Sequence, residues 1–170
     1  MITTTNNNNN NNNEDEFVSE YVMNFDGCCK GNPGPGGSGA VLYKNGVEIW
    51  ADSVFVGDRV TNNGAEYLGL IMGLIEATAL HIDYILVRGD SQLVINQMKG
   101  DYQVNSHNLK YLYAEAKKLE SNFIKVTYQH VYRNENTRAD TLSNEGLLKR
   151  TVYNRPITYY PFSRSATFSF

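Results

Sequence analysis

The stretch FDGCCKGNPGPGGSGAVL, residues 25–42, joins two apolar segments through a segment rich in glycine and proline. Residues 17–25 are apolar and aromatic-rich, which predicts a strand that ends at Asp26. The glycines and prolines of 27–39 predict a turn, and a second strand is predicted at 40–44. The stretch therefore predicts a strand, a turn and a strand, with a carboxylate at the end of the first strand.

The segments that follow predict a hairpin and then a helix. Asn45-Gly46 is a strong two-residue turn signal between the strand at 40–44 and a third strand at 47–56. Residues 61–63 predict a helix cap. Apolar residues then recur at helical spacing, and they predict a buried helix face made of Ala65, Leu68, Met72, Ile75 and Ala79.

The second half of the chain alternates between strand and helix patterns. Strands are predicted at 84–88 and 123–129, and helices at 91–98, 106–121 and 137–149. Asp90 follows the first of these strands directly. This order of elements predicts the α/β class, with a mixed sheet and helices on its faces.

The 170-residue chain has the length of one domain with a sizeable core. No apolar run approaches membrane-spanning length, and the N-terminus lacks the basic and apolar segments of a secretory signal. These features predict a protein of the cytosol or nucleus. The adjacent Cys28 and Cys29 form no disulfide framework and are predicted to be free thiols in a reducing compartment.

The net charge of -3 is unevenly distributed along the chain. Residues 1–20 contain four acidic residues and no lysine or arginine. The rest of the chain has all 15 basic residues and the remaining 14 of the 18 acidic ones, which leaves a net charge of +1. If metal ions neutralise four of those acids, the remaining surface is mildly basic, which permits a nucleic-acid substrate without requiring one.

Both ends of the chain differ in composition from the middle. Residues 1–16 have low complexity, with asparagine at every position from 6 to 13, and are predicted to be a disordered tail without function. The folded domain is predicted at 17–149. The tail 150–170 interleaves aromatic residues with arginines, which favours either stacking on nucleic-acid bases or packing on the domain. Of these two, we expect packing.

Four carboxylates are predicted to meet at one edge of the sheet. Asp26 and Asp90 end strands, and Glu66 and Asp140 lie near the starts of helices. Strand ends and helix starts meet at one edge of an α/β sheet, where active sites usually lie. Crowded carboxylates repel each other, so a cluster of them normally binds hard cations such as Mg²⁺. This pattern points to metal-assisted chemistry on a phosphate ester.

Each of these carboxylates also has a structural alternative. Asp26 could form an Asx turn, and Glu66 stands in the capping-box position, three residues after Asn63. Asp90 could cap the next helix, and Asp140 could lie in a first helical turn, where the helix dipole favours anions. Four unrelated caps at one edge explain the pattern less well than one shared site does.

His130 follows the last predicted strand and begins a segment, 131–136, that is predicted to be flexible. A loop histidine beside acids is suited to carry protons, and the alternative is an exposed polar residue. His81 and His107 are predicted to be surface or capping residues. The glycines of 31–34 either let a ligand approach the backbone or simply form a turn, and the segment lacks the phosphate-loop pattern.

Four motifs, in this order, resemble type 1 ribonuclease H. They are FDGCCKGNPGPGGSGAVL (25–42), TNNGAEYLGLIMGL (61–74), VRGDSQLVINQMKG (87–100) and HVYRNENTRADTLSN (130–144). The resemblance covers about residues 21–148. It implies a ribonuclease H-like fold, in which a mixed five-stranded sheet carries helices on both faces.

The resemblance implies an endoribonuclease that hydrolyses the RNA strand of RNA–DNA hybrids and leaves 5′-phosphate and 3′-hydroxyl ends. Asp26, Glu66, Asp90 and Asp140 match the family residues that hold two Mg²⁺ ions, with Mn²⁺ as an alternative. One ion would activate a water, and the other would stabilise the leaving oxygen. His130 matches a family histidine that is implicated in proton transfer and product release.

The resemblance also implies an RNA–DNA hybrid as the partner, bound by a monomer. The positions that match nucleic-acid contacts near the scissile site are Asn32, Asn62, Asn63 and Gln92. The 2′-OH is the group that distinguishes RNA from DNA there. Arg59, Thr61 and Asn105 resemble a pocket for a phosphate of the DNA strand, because an arginine, a hydroxyl and an amide suit such an oxyanion.

The chain departs from longer family members because it lacks their basic, tryptophan-bearing insertion. Residues 99–102 lead directly to the next helix, and the single tryptophan, Trp50, lies in the hairpin. The main alternative function is a catalytically silent domain of the same fold that only binds nucleic acid, but such a domain has no need of four repelling carboxylates. A proofreading-type exonuclease is disfavoured, because those enzymes place two acids one residue apart on the first strand.

Overall fold

Five strands form one mixed sheet in the computed structural model, which describes residues 19–149. The strands are β1 (Tyr21–Cys29), β2 (Gly34–Lys44), β3 (Val47–Val60), β4 (Tyr84–Gly89) and β5 (Lys125–His130). Their order across the sheet is β3-β2-β1-β4-β5. The pairs β1–β2 and β2–β3 are antiparallel, whereas β1–β4 and β4–β5 are parallel. The predicted mixed five-stranded sheet is thus confirmed.

Helices cover both faces of this sheet, as predicted. They are α1 (Asn62–Ala79), α2 (Gln92–Lys99), α3 (His107–Glu120) and α4 (Thr137–Leu148), with a 3₁₀ turn at Arg133–Glu135. Helix α1 packs on β1 and β2 and against α3, and α4 packs on β1, β2 and β3 from the opposite face. The segment between α2 and α3 contains no further helix, which confirms the short form without the insertion.

The glycine-rich segment is the main correction to the predicted elements. Residues 27–39 were predicted to be a turn, but most of them lie in β1 and β2, and the turn itself is confined to 30–33. The glycines are needed for helix packing. A Cβ atom on Gly27 would lie 2.1 Å from the Ala65 carbonyl carbon in α1, and one on Gly37 would lie 2.2 Å from a backbone nitrogen of α4.

Asp26 lies inside β1 and not at the end of the strand. Its strand continues to Cys29, and Asp26 pairs with Gly39 of β2 inside the ladder. An Asx turn at Asp26 is therefore excluded. A Cβ atom on Gly39 would lie 2.4 Å from Cβ of Leu142, so α4 contacts the sheet directly beside this aspartate.

The hairpin after β2 forms where the sequence predicts it. Asn45 and Gly46 have φ values of 50° and 79°, the left-handed conformation that a two-residue turn of this kind requires. The third strand is longer than the predicted 47–56 and extends to Val60. The extension brings the chain directly to the start of α1.

The buried face of α1 also differs from the prediction. Ala65 and Met72 are buried, but Leu68 and Ile75 are only partly buried and Ala79 is exposed. Glycines make the closest contacts with the sheet instead. A Cβ atom on Gly69 would lie 2.6 Å from the Asp26 carbonyl oxygen, so this helix lies on β1 more closely than its apolar residues alone indicate.

Two further predictions concern the ends of the chain and the membrane. The tails predicted at 1–16 and 150–170 lie outside the described residues. Among helices within 19–149, none combines the length and the apolar character needed to span a membrane.

Candidate active site

Four elements bring the four predicted carboxylates together. Asp26 lies in β1 and is 5% exposed, and Asp90 follows β4, whose Gly89 pairs with Phe25 of β1. Because β1 and β4 are parallel neighbours, these two aspartates lie side by side. Glu66, also 5% exposed, lies in the second turn of α1, and Asp140 lies in the first turn of α4.

Three of the carboxylates form a tight group. Ligand oxygens of Asp26, Glu66 and Asp90 all lie within 4.8 Å of one another. Asp140 lines the same cavity, which has a volume of about 270 Å³, but its Oδ1 accepts a hydrogen bond from the Arg133 guanidinium. We call this space the carboxylate cavity; its lining is Asp26, Gly27, Cys28, Asn62, Glu66, Asp90, Ser91, Arg133 and Asp140.

Glu66 points into the cavity rather than capping its helix. The N-cap of α1 is Thr61, whose side chain accepts a hydrogen bond from the Gly64 backbone N–H, so the predicted capping box of Asn63 and Glu66 is wrong. Among the described residues, Glu66 Oε2 is the one buried side-chain oxygen or nitrogen without a hydrogen-bond partner. A buried carboxylate oxygen left without a partner is costly, which indicates that a ligand normally satisfies it.

The electrostatics of the cavity disfavour its negative charge. Burial raises the pKa of Asp26 to about 7, and the nearby charges of Asp90 and Asp140 add to this rise, while a hydrogen bond from Ser143 opposes it. The pKa of Glu66 is raised well above its usual range, first by burial and then by the charges of Asp26 and Asp90. A bound cation would reverse both effects, because it favours the ionised carboxylates.

The donor set of the cavity suits a hard divalent cation. The grouped atoms are all carboxylate oxygens, which are the ligands that Mg²⁺ and Mn²⁺ prefer. The unpartnered Glu66 Oε2 adds a ligand that no protein group uses. The residues present therefore fit such a cation, and Asp26, Glu66 and Asp90 could hold it.

Two buried residues that the sequence did not single out contact the carboxylates. Asn136, 1% exposed, donates from Nδ2 to Asp90 Oδ1 at 3.3 Å. Ser143, fully buried, donates from Oγ to Asp26 Oδ2. The signal that could have found them is their spacing from Asp140, since residues four before and three after it share its helix face.

His130 lies at the end of β5, next to the cavity. Its Nε2 lies 3.2 Å from the Asp90 carbonyl oxygen, and its ring packs edge-on against Tyr132, with 5.8 Å between the ring centroids. The segment after it was predicted to be flexible, yet it includes a 3₁₀ turn at Arg133–Glu135 and is closed by the buried Asn136. The contact with the Asp90 carbonyl oxygen holds the histidine beside the cavity.

Cys28 and Arg133 complete the lining of the cavity. Burial raises the pKa of the half-buried Cys28 thiol, so it stays protonated near neutral pH. Arg133 is highly exposed, and it is the one basic side chain among the described residues that line the cavity. Its ion pair with Asp140 offsets one of the crowded negative charges.

A second cavity of about 340 Å³ begins on the other side of the α1 N-terminus. We call it the amide groove; its lining is Asn32, Thr61, Asn63, Leu93, Gln97, Gln103, Asn105, Ser106, Asn108 and Leu109. The Asn32 side chain accepts a hydrogen bond of 3.0 Å from the Asn62 backbone N–H, which ties the 30–33 turn to the helix. Of the predicted substrate contacts, Arg59 and Gln92 are exposed and line neither cavity.

Comparisons with known proteins place this chain in one family. A model of the family described as "Reverse transcriptase-like" matches residues 24–146. A ribonuclease H of Pseudomonas fluorescens is 36% identical over 151 residues, covering 78% of this chain and 93% of that protein. The chain belongs to the ribonuclease H family.

Solved structures agree with this assignment. The N-terminal RNase H domain of Rv2228c from Mycobacterium tuberculosis has a TM-score of 0.74 and 39% identity, covering 78% of this chain and 96% of that one. LC11-RNase H1, solved in complex with an RNA/DNA hybrid, has a TM-score of 0.72 and 33% identity, covering 77% and 99%. The full-length bifunctional protein Rv2228c is longer, and the match spans 35% of its length.

Proposed function

We propose that this protein is an endoribonuclease that hydrolyses the RNA strand of RNA–DNA hybrids with the help of divalent cations. The observation that carries the proposal is the group formed by the buried Asp26 and Glu66 and the partly buried Asp90, whose ligand oxygens lie within 4.8 Å of one another, with Glu66 Oε2 unpartnered among the described residues. Relatives named ribonuclease H, and a similar structure that contains an RNA/DNA hybrid, support the choice of substrate.

The carboxylates would hold the cations. Asp26, Glu66 and Asp90 form the main site, and Asp140 becomes available when Arg133 releases it. We propose two Mg²⁺ ions, with Mn²⁺ as an alternative. When bound, such ions lower the pKa of a water and neutralise charge that develops on the phosphodiester. Arg133, once free of Asp140, is placed to pair with a phosphate of the substrate.

The reaction would be an attack of water on phosphorus. The bond between phosphorus and the 3′-oxygen breaks, which leaves a 5′-phosphate on one fragment and a 3′-hydroxyl on the other. The attacking water gives up a proton and the departing oxygen takes one, and His130, which contacts Asp90 beside the cavity, would carry protons for this exchange. Because the Asp90 carbonyl can only accept, His130 Nε2 donates to it, and this leaves Nδ1 free to exchange protons with the reacting groups.

The surroundings of the site suit a hybrid. Asn62 reaches the carboxylate cavity, while Asn32 and Asn63 line the amide groove. Together with Gln92, these amides would contact the RNA backbone, its 2′-hydroxyls and base edges. Arg59, Thr61 and Asn105 would receive a phosphate of the DNA strand. Thr61 and Asn105 line the amide groove beside Asn32 and Asn63, so this groove could contact both strands of one duplex.

A cleavage assay with a labelled hybrid tests this function. The full chain is incubated with an RNA–DNA hybrid with Mg²⁺, with Mn²⁺ or with EDTA, beside DNA duplex and single-stranded RNA of the same sequence. We expect cleavage of the hybrid alone, dependent on the cation, with 5′-phosphate and 3′-hydroxyl products. Binding of the hybrid without cleavage in either metal would favour the silent binding domain, and equal cleavage of single-stranded RNA would contradict the proposed substrate.

A further inference from the structure

One face of α4 contacts the carboxylate cluster at three successive points. Asn136 precedes the helix, Asp140 lies in its first turn and Ser143 follows. Their spacing of four and then three residues places them on the same side of a helix. Asp140 contributes a carboxylate to the cavity, whereas the other two direct hydrogen-bond donors at Asp90 and Asp26.

The amide of Asn136 is held in one orientation. Its Nδ2 donates to the Phe25 carbonyl at 2.9 Å and to Asp90 Oδ1 at 3.3 Å, and its Oδ1 accepts from Asn24 Nδ2 at 2.9 Å. Asn24 and Asn136 are both buried. Turning the amide over would point its oxygen at two acceptors, so the network aims an N–H at Asp90 and joins α4 to β1 and β4.

Ser143 donates a hydrogen bond to Asp26, as Asn136 does to Asp90. Its Oγ contacts Asp26 Oδ2 and lies 2.9 Å from the Asp140 carbonyl oxygen. The hydroxyl has one proton, so it donates to the carboxylate whenever Asp26 is ionised. Ser143 is fully buried, so bulk solvent does not reach its hydroxyl.

We propose that Asn136 and Ser143 are positioning residues, which hold the Asp90 and Asp26 carboxylates in the arrangement that binds the divalent cation. Carboxylates this close repel one another, and without fixed donors they would turn apart before a cation arrived. Donors from α4 and from the residue that precedes it set both orientations, and Asp140 lies on the same helix face. This inference rests on the proposed function, because it concerns the same cation site.

The test measures cation binding in the absence of substrate. Full-length wild type, Ser143→Ala and Asn136→Asp are titrated with Mn²⁺ alone, and the free ion is followed by its EPR signal. Loss of groups that orient metal ligands typically weakens binding about 10- to 100-fold, and we expect that loss for both variants. Asn136→Asp keeps the side-chain volume but replaces the donor by an acceptor.

Two control variants remove a hydroxyl or an amide that does not contact the carboxylates. Thr141→Val deletes a hydroxyl on the exposed side of α4, and Asn134→Ala deletes an exposed amide in the 3₁₀ turn, so both should bind Mn²⁺ as wild type does. Ser143→Thr restores a hydroxyl and should recover most of the affinity. Melting temperatures in EDTA identify the temperature at which each variant is folded, and titrations are done below it.

The outcomes separate the inference from the function on which it rests. If wild type binds Mn²⁺ and cuts the hybrid, but folded Ser143→Ala binds Mn²⁺ equally well, the positioning role is wrong and the proposed function stands. If wild type neither binds the ion nor cuts the hybrid, both the proposed function and the positioning role are wrong. If Asn136→Asp does not fold, Ser143→Ala together with Ser143→Thr decides the question.

Discussion

The two cavities on either side of the α1 N-terminus differ in the charge and the burial of the residues that line them. The carboxylate cavity contains buried acids whose ionisation is disfavoured, and Glu66 Oε2 within it has no hydrogen-bond partner among residues 19–149. The amide groove is lined by neutral side chains, half of them exposed, so water can reach many of their polar groups. The first cavity needs a cation to be stable when ionised, whereas the second needs no ligand at all.

This difference predicts where substitutions act. A change in the carboxylate cavity should alter both catalysis and the stability of the metal-free protein, because the same charges control both. A change in the amide groove should alter substrate affinity and leave the chemical step untouched. Four experiments test this separation, and they follow in order of the expected effect.

The largest effect is expected from Asp90→Asn. The substitution keeps the side-chain shape and an oxygen that can accept from Asn136, but it removes the charge that a cation requires. We expect hybrid cleavage in Mg²⁺ to fall at least about a thousandfold, since several kcal/mol of charge stabilisation is lost. Asp101→Asn, which changes an exposed acid paired with Lys99, is the control and should cut normally. Near wild-type cleavage by Asp90→Asn would refute the metal-dependent mechanism.

A smaller effect is expected from His130→Ala. A proton carrier assists a step that proceeds without it, so turnover should slow by about 10²–10⁴-fold rather than stop. The rate is measured with the hybrid in excess over enzyme, so that product release contributes. His107→Ala, which changes an exposed histidine at the start of α3, is the control. A full multiple-turnover rate in His130→Ala would make His130 a surface residue.

The third prediction concerns stability without metal. The pKa of Asp26 is about 7 in the fold against an ordinary 3.8, so the folded state binds a proton more tightly than the unfolded state does. Stability should therefore fall as the pH rises from about 4 to about 7, by a few kcal/mol, with the loss complete above that window. Glu66 acts in the same direction.

Urea unfolding in EDTA at pH 5 and pH 8 measures this effect. Wild type should lose stability between the two pH values, and Asp26→Asn should lose less, because its amide does not titrate. Mg²⁺ added at pH 8 should restore the wild type. An equal pH dependence in the two proteins would show that Asp26 is not the buried acid responsible.

The smallest effect is expected from Asn105→Ala in the amide groove. One hydrogen bond to the hybrid is lost, worth about 0.5–1.5 kcal/mol, so KM should rise about two- to tenfold. The value of kcat and its Mg²⁺ dependence should not change. A fall in kcat at saturating hybrid would show that the groove takes part in the chemical step, and the contrast between the two cavities would fail.

Local signals explain which elements could be predicted. The Asn45-Gly46 turn and the Thr61 cap depend on a few adjacent residues, and both form where they are predicted. The structure of the glycine-rich segment, residues 27–39, could not be predicted from such local signals. Its glycines look like a turn, but Gly37 and Gly39 are strand residues that make room for a helix far away in the sequence.

The site likewise contains residues that local sequence signals identify and residues that only the fold identifies. The four carboxylates were found because each lies in a recognisable motif near a predicted strand end or helix start, and the structure brings all of them to one cavity. Asn136 and Ser143 lie in the last of those motifs, but Asn136 looked like an ordinary loop residue and Ser143 like an ordinary polar helix residue. Their role depends on contacts with Asp90, which follows β4, and with Asp26 in β1. More than forty positions of sequence separate the two residues of each contact.

The sequence by itself determined the order of strands and helices, the identity of the acidic residues and the likeness to a family, because these follow from residue types and short spacings. Only the tertiary structure decided that Asp26 lies within a strand, that Glu66 Oε2 is left without a partner and that one face of α4 aims donors at two carboxylates. Burial, close packing and hydrogen-bond direction arise when distant segments meet, and no local pattern records them.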